Sequence, residues 1–229
     1  METLARKLIA RAAGQSGVSA GDVVICKVDL AMIHDSGGPR RVKPMLERLG
    51  RRVWDRERVV VVTDHYVPAD TEETRAIQAL TRQWVRDEEI ANFYDQQGIC
   101  HVVLPERGHL SPGMFCVGGD SHSPTGGAFG AYMFGVGATE MAGVLATGEI
   151  WLRVPETILI QWNNSLGACV EDHHVIHRFC VLDTLDDFAL LVFAGITTRC
   201  HHHAAAAAFV PVDGDLIQAA FGGCLEDFE

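Results

Sequence analysis

Gly118-Gly119-Asp120-Ser121-His122-Ser123-Pro124-Thr125-Gly126-Gly127 follows the short apolar run Met114 to Val117. It leads into a small-residue stretch through Ala128, Gly130, Ala131, Gly135 and Gly137. An apolar run that stops at glycines, an acid and a histidine has the pattern of a buried strand ending at a ligand crevice. The small-residue stretch is read as a helix. Its glycines each cost about 1 kcal/mol relative to alanine, so another backbone or a ligand must come very close.

Working outward, Val23 to Val28, Val59 to Thr63 and His101 to Leu104 are short β-branched runs bounded by glycine, proline or charge, as buried strands are. Between the last two, Thr71 to Tyr94 reads as a helix with apolar positions Ile77, Leu80, Trp84 and Val85. Thr3 is placed to cap a first helix that carries Leu4, Leu8 and Ile9 on one face and stops at Gly14. Downstream, Ile158 to Trp162 reads as a further strand. Strands alternating with helices predict a three-layer α/β/α architecture with a mainly parallel sheet.

Three places share one chemistry, an acid and a histidine just beyond an apolar run. Val59 to Thr63 leads into Asp64-His65, Gly98-Ile99-Cys100 into His101, and Phe115-Cys116-Val117 into Asp120-Ser121-His122. The carboxyl ends of parallel strands face one crevice, so the three are expected to converge there. A carboxylate beside an imidazole orients the ring and stabilises its charged form, which suits proton transfer. Gly-Asp-Ser-His also resembles the start of a serine-esterase block with Ser121 as nucleophile. That reading needs an Asp-x-x-His near the C-terminus, and Asp172 is followed three residues later by Val175.

Composition narrows the classes. Among 229 residues, 30 acidic against 19 basic side chains give a net charge of −11, which leaves no basic stripe to replace phosphate counterions. A nucleic-acid partner is excluded on that ground. No run of about 18 apolar residues exists and the N-terminal stretch carries charges, so neither export nor membrane insertion is expected and the cytoplasm is the default. The seven cysteines (Cys26, Cys100, Cys116, Cys169, Cys180, Cys200 and Cys224) are scattered without a Cys-x-x-Cys and read as reduced, mostly core-filling thiols. Arg40 and Arg41, after Gly37-Gly38-Pro39, are read as charges on a solvated turn.

Four blocks carry a specific resemblance: VDLAMIHDSGGP (28–39), VVVVTDHYVPA (59–69), NFYDQQGICHVVLPERG (92–108) and GGDSHSPTGGAFGAYMFGVGATEMAGVLATGEIWLRVPET (118–157). In this order they resemble the N-terminal part of the aconitase superfamily, closest to the large subunit of 3-isopropylmalate dehydratase. The resemblance runs from Leu4 to Trp162. It implies reversible dehydration of a 2-hydroxy di- or tricarboxylic acid, as in leucine biosynthesis, and a [4Fe–4S] cluster whose open iron activates the leaving hydroxyl. By motif position it implies catalytic roles for Asp64, His65, His101, Asp120 and His122, with Ser121 contacting a substrate carboxylate. Asp120 is expected to orient His101, Asp64 to support His65, and protonated His101 to assist hydroxyl departure. A small, swivelling partner subunit would bring the serine base and the substrate-binding arginines.

The same comparison defines departures. The family's downstream Cys-Thr-Asn and Cys-x-x-Cys blocks are absent, so no metal ligands are assigned. The asparagine–glutamate stretch that would partner His122 is absent as well. Beyond Cys169 the family's lysine–aspartate helix is replaced by Glu171 to His177. The expected organisation is an α/β domain over 1–162 and a diverged tail over 163–229. His173, His174 and His177 share a helical face suited to Zn²⁺ or Ni²⁺, although exposed tail histidines, like those of His201 to His203, are the simpler reading. The leading expectation is a hydro-lyase large subunit that is inactive alone. The alternative is a catalytically inactive remnant that serves as a protein-interaction domain.

Overall fold

Unbroken runs of aliphatic residues have no polar face to offer water, so they fold as strands covered on both sides. Leu30 to Ile33 and Val59 to Val62 are such runs, and every residue of the strands they build, Leu30–His34 and Val59–Thr63, is buried. The computed structural model describes residues 3–157. The expected strand Ile158 to Trp162, the four later cysteines and both histidine clusters lie outside the described residues.

In chain order the elements are α1 (Leu4–Ala12), β1 (Val23–Lys27), β2 (Leu30–His34), α2 (Pro39–Leu49), β3 (Val59–Thr63), α3 (Glu72–Glu88) and β4 (Asn92–Asp95). Then follow α4 (Cys100–Glu106), β5 (Phe115–Gly118), a 3₁₀ helix (Ser123–Phe129), β6 (Tyr132–Gly135), α5 (Ala138–Thr147) and β7 (Glu149–Arg153). Five strands form a parallel sheet in the order β4-β3-β2-β5-β6. The chain builds outward from β2 through β3 to β4, then crosses to the far side of β2 for β5 and β6. The order therefore reverses between β2 and β5, and a crevice opens there at the carboxyl ends of the strands.

The pleat sorts the side chains into two cores. Ala31, Ile33, Val59, Val61, Phe115, Val117, Tyr132 and Phe134 face Leu8 and Ile9 of α1, Val42 and Leu46 of α2, Trp84 of α3 and Met141 and Leu145 of α5. Leu30, Met32, Val60, Val62, Cys116 and Met133 face Cys100, Val103 and Leu104 of α4. Three layers result, as expected. Thr3 accepts from the Arg6 N–H at the start of α1, and Gly14 follows with φ +65°.

Local propensity misled in three places. His101 to Leu104 belongs to α4, not to a strand, because the buried positions Cys100, Val103 and Leu104 follow helical spacing while Val102 faces solvent. The helix expected to Tyr94 ends at Glu88, where Glu89 takes a left-handed φ of 57°, and Asn92–Asp95 pairs with β3. The glycine-rich stretch is not one helix. Gly130 (φ +76°) ends the 3₁₀ turn, and Tyr132 and Phe134 then alternate with Met133 as β6. The expected strand at Val23 to Val28 forms as β1, which stands outside the parallel sheet and pairs antiparallel with β7, its residues alternately exposed and buried. Arg40 and Arg41 open α2 rather than a loop, and the Arg40 guanidinium lies over the Tyr66 ring.

Candidate active site

Continuing the pleat past the strand ends places the chemistry. His34 in β2, Asp64 after β3 and Asp120 after β5 share the parity of Met32, Val62 and Cys116, the residues that face α4. The first turn of α4 presents His101 to the same region. Three strands and one helix thus meet at the mouth of the β2/β5 crevice.

Two acid–histidine pairs form there. His101 Nε2 lies 2.8 Å from Asp120 Oδ2, and His65 Nδ1 lies 2.6 Å from Asp64 Oδ1. A carboxylate only accepts, so those ring nitrogens carry the protons. His101 then faces a substrate through Nδ1, and His65 through Nε2. The other oxygen of Asp120 accepts the Ser123 hydroxyl at 2.9 Å and the His122 N–H at 3.2 Å. The other oxygen of Asp64 accepts the Cys100 N–H at 2.7 Å, which ties the Asp64–His65 pair to the helix that carries His101.

His34 makes a second tie. Its Nε2–H donates to the Gly119 carbonyl at 3.3 Å, so Nδ1 of the neutral ring accepts from the Ser36 hydroxyl at 2.9 Å. Its ring stacks on His65 with centroids 4.0 Å apart and planes 13° from parallel. Burial lowers the His34 pKa, and the neighbouring His65 lowers it further against the pull of Asp120 and Asp64. Burial alone would raise the carboxyl pKa of Asp120. Hydrogen bonds from His101 and Ser123 and the histidine charge outweigh it and bring the value down to about 2. Asp64 is lowered in the same way, its burial outweighed by the Cys100 N–H and by His65.

The glycines of this segment match the close approaches expected from their density. A Cβ on Gly118 would run into Ser123, and one on Gly135 into the Asp120 carbonyl. Two groups have metal-ligand composition: His34, Asp35, Asp64 and His65, and Cys100, His101 and Asp120. Neither is well disposed to an ion. Stacked parallel rings aim their nitrogen lone pairs side by side rather than at one point, and both Asp35 oxygens accept backbone N–H groups. The Cys100 thiol is pushed far up by burial and by Asp64, away from the thiolate a metal takes.

A family model, Aconitase family (aconitate hydratase), matches residues 6–184. The chain belongs to the aconitase family. It is 45% identical over 176 residues to 3-isopropylmalate dehydratase large subunit 1 of Methanopyrus kandleri, a match covering 76% of this chain and 42% of that protein. A probable 3-isopropylmalate dehydratase large subunit of Methanothermobacter thermautotrophicus is 48% identical over 175 residues, with the same two coverages. A probable methanogen homoaconitase large subunit of the same organism is 47% identical over 163 residues, covering 69% of this chain and 38% of that protein. The chain thus spans about two-fifths of the length of the curated relatives it matches.

Aconitase-family membership implies an iron–sulfur cluster, which needs several thiolates converging on it. The described thiols do not fit that need. Cys26 lies in the core on one face of the sheet, and Cys100 and Cys116 lie in the core on the other. All three are buried, and burial raises each thiol, Cys26 to about 12.

Of the residues expected at an aconitase-type site, Asp64, His65, His101 and Asp120 meet as two linked pairs. Ser121 and His122 lie exposed on the loop after β5, with the His122 ring 6.0 Å from that of His101. Sequence reasoning passed over His34, Asp35 and Ser123. The first two had a readable signal, since Leu30 to Ile33 leads into His34-Asp35 just as the other apolar runs lead into their pairs.

Proposed function

We propose that this chain carries acid–base machinery of a hydro-lyase large subunit of the 3-isopropylmalate dehydratase type. Its substrate class is a 2-hydroxy di- or tricarboxylic acid, interconverted with the unsaturated acid and water. The observation that supports this reading most is the meeting of two carboxylate–imidazole pairs at the β2/β5 crevice, stitched by the Cys100 N–H and the Gly119 carbonyl.

Dehydration removes a proton from one carbon and hydroxide from its neighbour; the C–H electron pair becomes the double bond. Hydroxide is a poor leaving group, so a proton delivered to it as the C–O bond breaks lowers the barrier. His101 is placed for that delivery. Asp120 stays ionised, holds Nε2–H, and stabilises the imidazolium from which Nδ1 gives its proton. His65, held at Nδ1 by Asp64, turns Nε2 toward the crevice to accept a hydrogen bond from the substrate hydroxyl. Ser121 and His122, on the exposed loop beside them, are assigned to the substrate's carboxylate end.

The name "large subunit" on the relatives supports a small-subunit partner, which would bring the base for the carbon-bound proton. Among the described residues no helix is long and apolar enough to cross a membrane. We place the reaction in the cytoplasm, in a leucine-type biosynthetic route.

The test is turnover. The chain is purified under reducing conditions, mixed with a 3-isopropylmalate dehydratase small subunit, treated with iron and sulfide, and assayed for the unsaturated acid. Isopropylmalate turnover that needs the small subunit and falls about 10²-fold or more in His101→Gln is the expected result. Turnover that His101→Gln leaves unchanged overturns the assignment of His101.

One observation favours the alternative, a non-catalytic interaction domain. Val23, Ile25 and Trp151 lie exposed, with Ile25 opposite Trp151 across the β1–β7 pair. An apolar face of this kind favours association. Light scattering of the chain with and without the small subunit separates the readings, because this alternative predicts a stable complex without turnover.

A further inference from the structure

Asp35 is a carboxylate with no exposed surface, set directly after β2. Its own N–H donates to the Val62 carbonyl at 3.2 Å, which locks it to the end of β3. Its Oδ1 accepts the His65 N–H at 3.1 Å and its Oδ2 accepts the Tyr66 N–H at 3.2 Å. The His65 Nδ1 lies 3.9 Å from Oδ1. Among the described residues no lysine or arginine pairs with it.

A buried carboxylate is expensive unless its charge is used, because desolvation penalises the ion strongly. Joining two loops needs only a neutral acceptor, such as asparagine or a backbone carbonyl. Two consecutive N–H groups aimed at two oxygens of one group need a carboxylate. An amide has one acceptor oxygen, and its NH₂ would face an N–H donor. The geometry therefore explains why the charge is present: it fixes both peptides that follow Asp64.

Those peptides carry the His65 ring. Three restraints then act on one imidazole. Asp35 holds its backbone, His34 supplies a parallel ring 4.0 Å beneath it, and Asp64 takes the proton at Nδ1. Together they leave His65 one orientation, with the Nδ1 proton directed at Asp64 and Nε2 turned to the crevice.

We infer that Asp35 is the positioning residue of the Asp64–His65 pair, acting through the His65 and Tyr66 amides to hold the ring in a single tautomer. The inference rests on the acid–base reading of this site and adds a residue to it. Asp35 touches neither substrate nor reacting atoms.

The test reads the imidazole, not turnover. Long-range ¹H–¹⁵N spectra of the full chain report the tautomer of His65, assigned by loss of the signal in His65→Gln. The wild type is expected to show Nδ1 protonated and Nε2 bare. Asp35→Asn should give averaged ¹⁵N shifts for His65, as Asp64→Asn should by removing the acceptor directly. His109, which pairs with Tyr94 outside the site, should be unchanged in both. A folded Asp35→Asn protein that keeps the wild-type His65 tautomer overturns the inference.

If Asp35→Asn does not fold, through-hydrogen-bond couplings in the wild type decide. Coupling from the His65 and Tyr66 amide nitrogens to the Asp35 carboxylate carbon is required, and its absence overturns the inference. A chain that shows the tautomer lock but no turnover when assembled refutes the hydro-lyase reading alone, so the two failures are distinguishable.

Discussion

Asp120 and His101 meet at 2.8 Å across the crevice, although α4 and β5 separate them in the chain. His101 stands at the start of a helix and Asp120 just past a strand, so the pair exists only when the α4 layer is packed on the sheet. Asp120→Asn keeps the shape and one acceptor but loses the charge that stabilises an imidazolium. On the proposed function, it should lower kcat of the chain assembled with a small subunit by about 10²-fold or more with little change in KM. It also carries a pH signature. The native carboxyl pKa is lowered from 3.8 to about 2, so its stabilisation is fully present above 3.8 and lost as pH falls through 2. The amount is about 2 kcal/mol. Urea unfolding across that window should show an acid limb in the wild type that shrinks in the variant.

His34 gives a second, milder pH dependence of the same sign. Burial holds its ring neutral, with a pKa below the ordinary 6.5. The unfolded chain takes up a proton at 6.5 that the folded chain resists, so stability is full above that pH and declines as pH falls toward the native value. His34→Gln keeps a donor for the Gly119 carbonyl and cannot titrate. Its urea midpoint should vary less than that of the wild type between pH values on either side of 6.5. Equal variation in both proteins would remove His34 from the linkage.

Much of this site was legible because hydrophobic run and acid–histidine pair are adjacent in sequence. Val59 to Thr63 announces Asp64-His65, and Phe115 to Val117 announces Asp120. His34-Asp35 carries the same signal but merges into Ser36-Gly37-Gly38-Pro39, which reads as a turn. Ser123 carried none. Its role arises from the missing Cβ of Gly118, which lets it reach Asp120. His101 was found for its chemistry and misplaced in its backbone, since Val102-Val103 favours a strand locally while burial follows helical spacing. β1 was recognised as a strand, but its partner, Glu149–Arg153, lies far along the chain, and no local pattern reports such pairing.

Gly135 tests how tightly β6 packs on the loop that carries Asp120. A methyl group there meets the Asp120 carbonyl, which is backbone and gives way only by moving the carboxylate's own residue. Gly135→Ala should cost about 1–3 kcal/mol by overpacking. On the proposed function it should also lower turnover, because Asp120 shifts away from His101. Gly143→Ala, on α5 with open space around the added carbon, is the control and should leave both unchanged or raise stability. A Gly135→Ala protein as stable and active as this control would show that the contact relaxes without disturbing Asp120.

The thiols supply the last prediction. Cys26, Cys100 and Cys116 are buried in the two cores, and Cys26 donates weakly to the Ile9 carbonyl. Burial raises the Cys26 thiol from 9.0 to about 12, and those of Cys100 and Cys116 further. Three pKa units mean a thiolate fraction lower by about 10³-fold, so iodoacetamide should leave these three unmodified in the folded chain and label them after denaturation. Peptide mass spectrometry reads this residue by residue. The same inertness sets the iron result: Cys26→Ser, Cys100→Ala and Cys116→Ala should each retain whatever iron and sulfide the wild-type chain takes up on anaerobic reconstitution. Loss of iron in any one, with folding intact, would show that a core thiol opens to become a ligand. It would also bring cluster chemistry into the described α/β layers, where the buried thiols now argue against it.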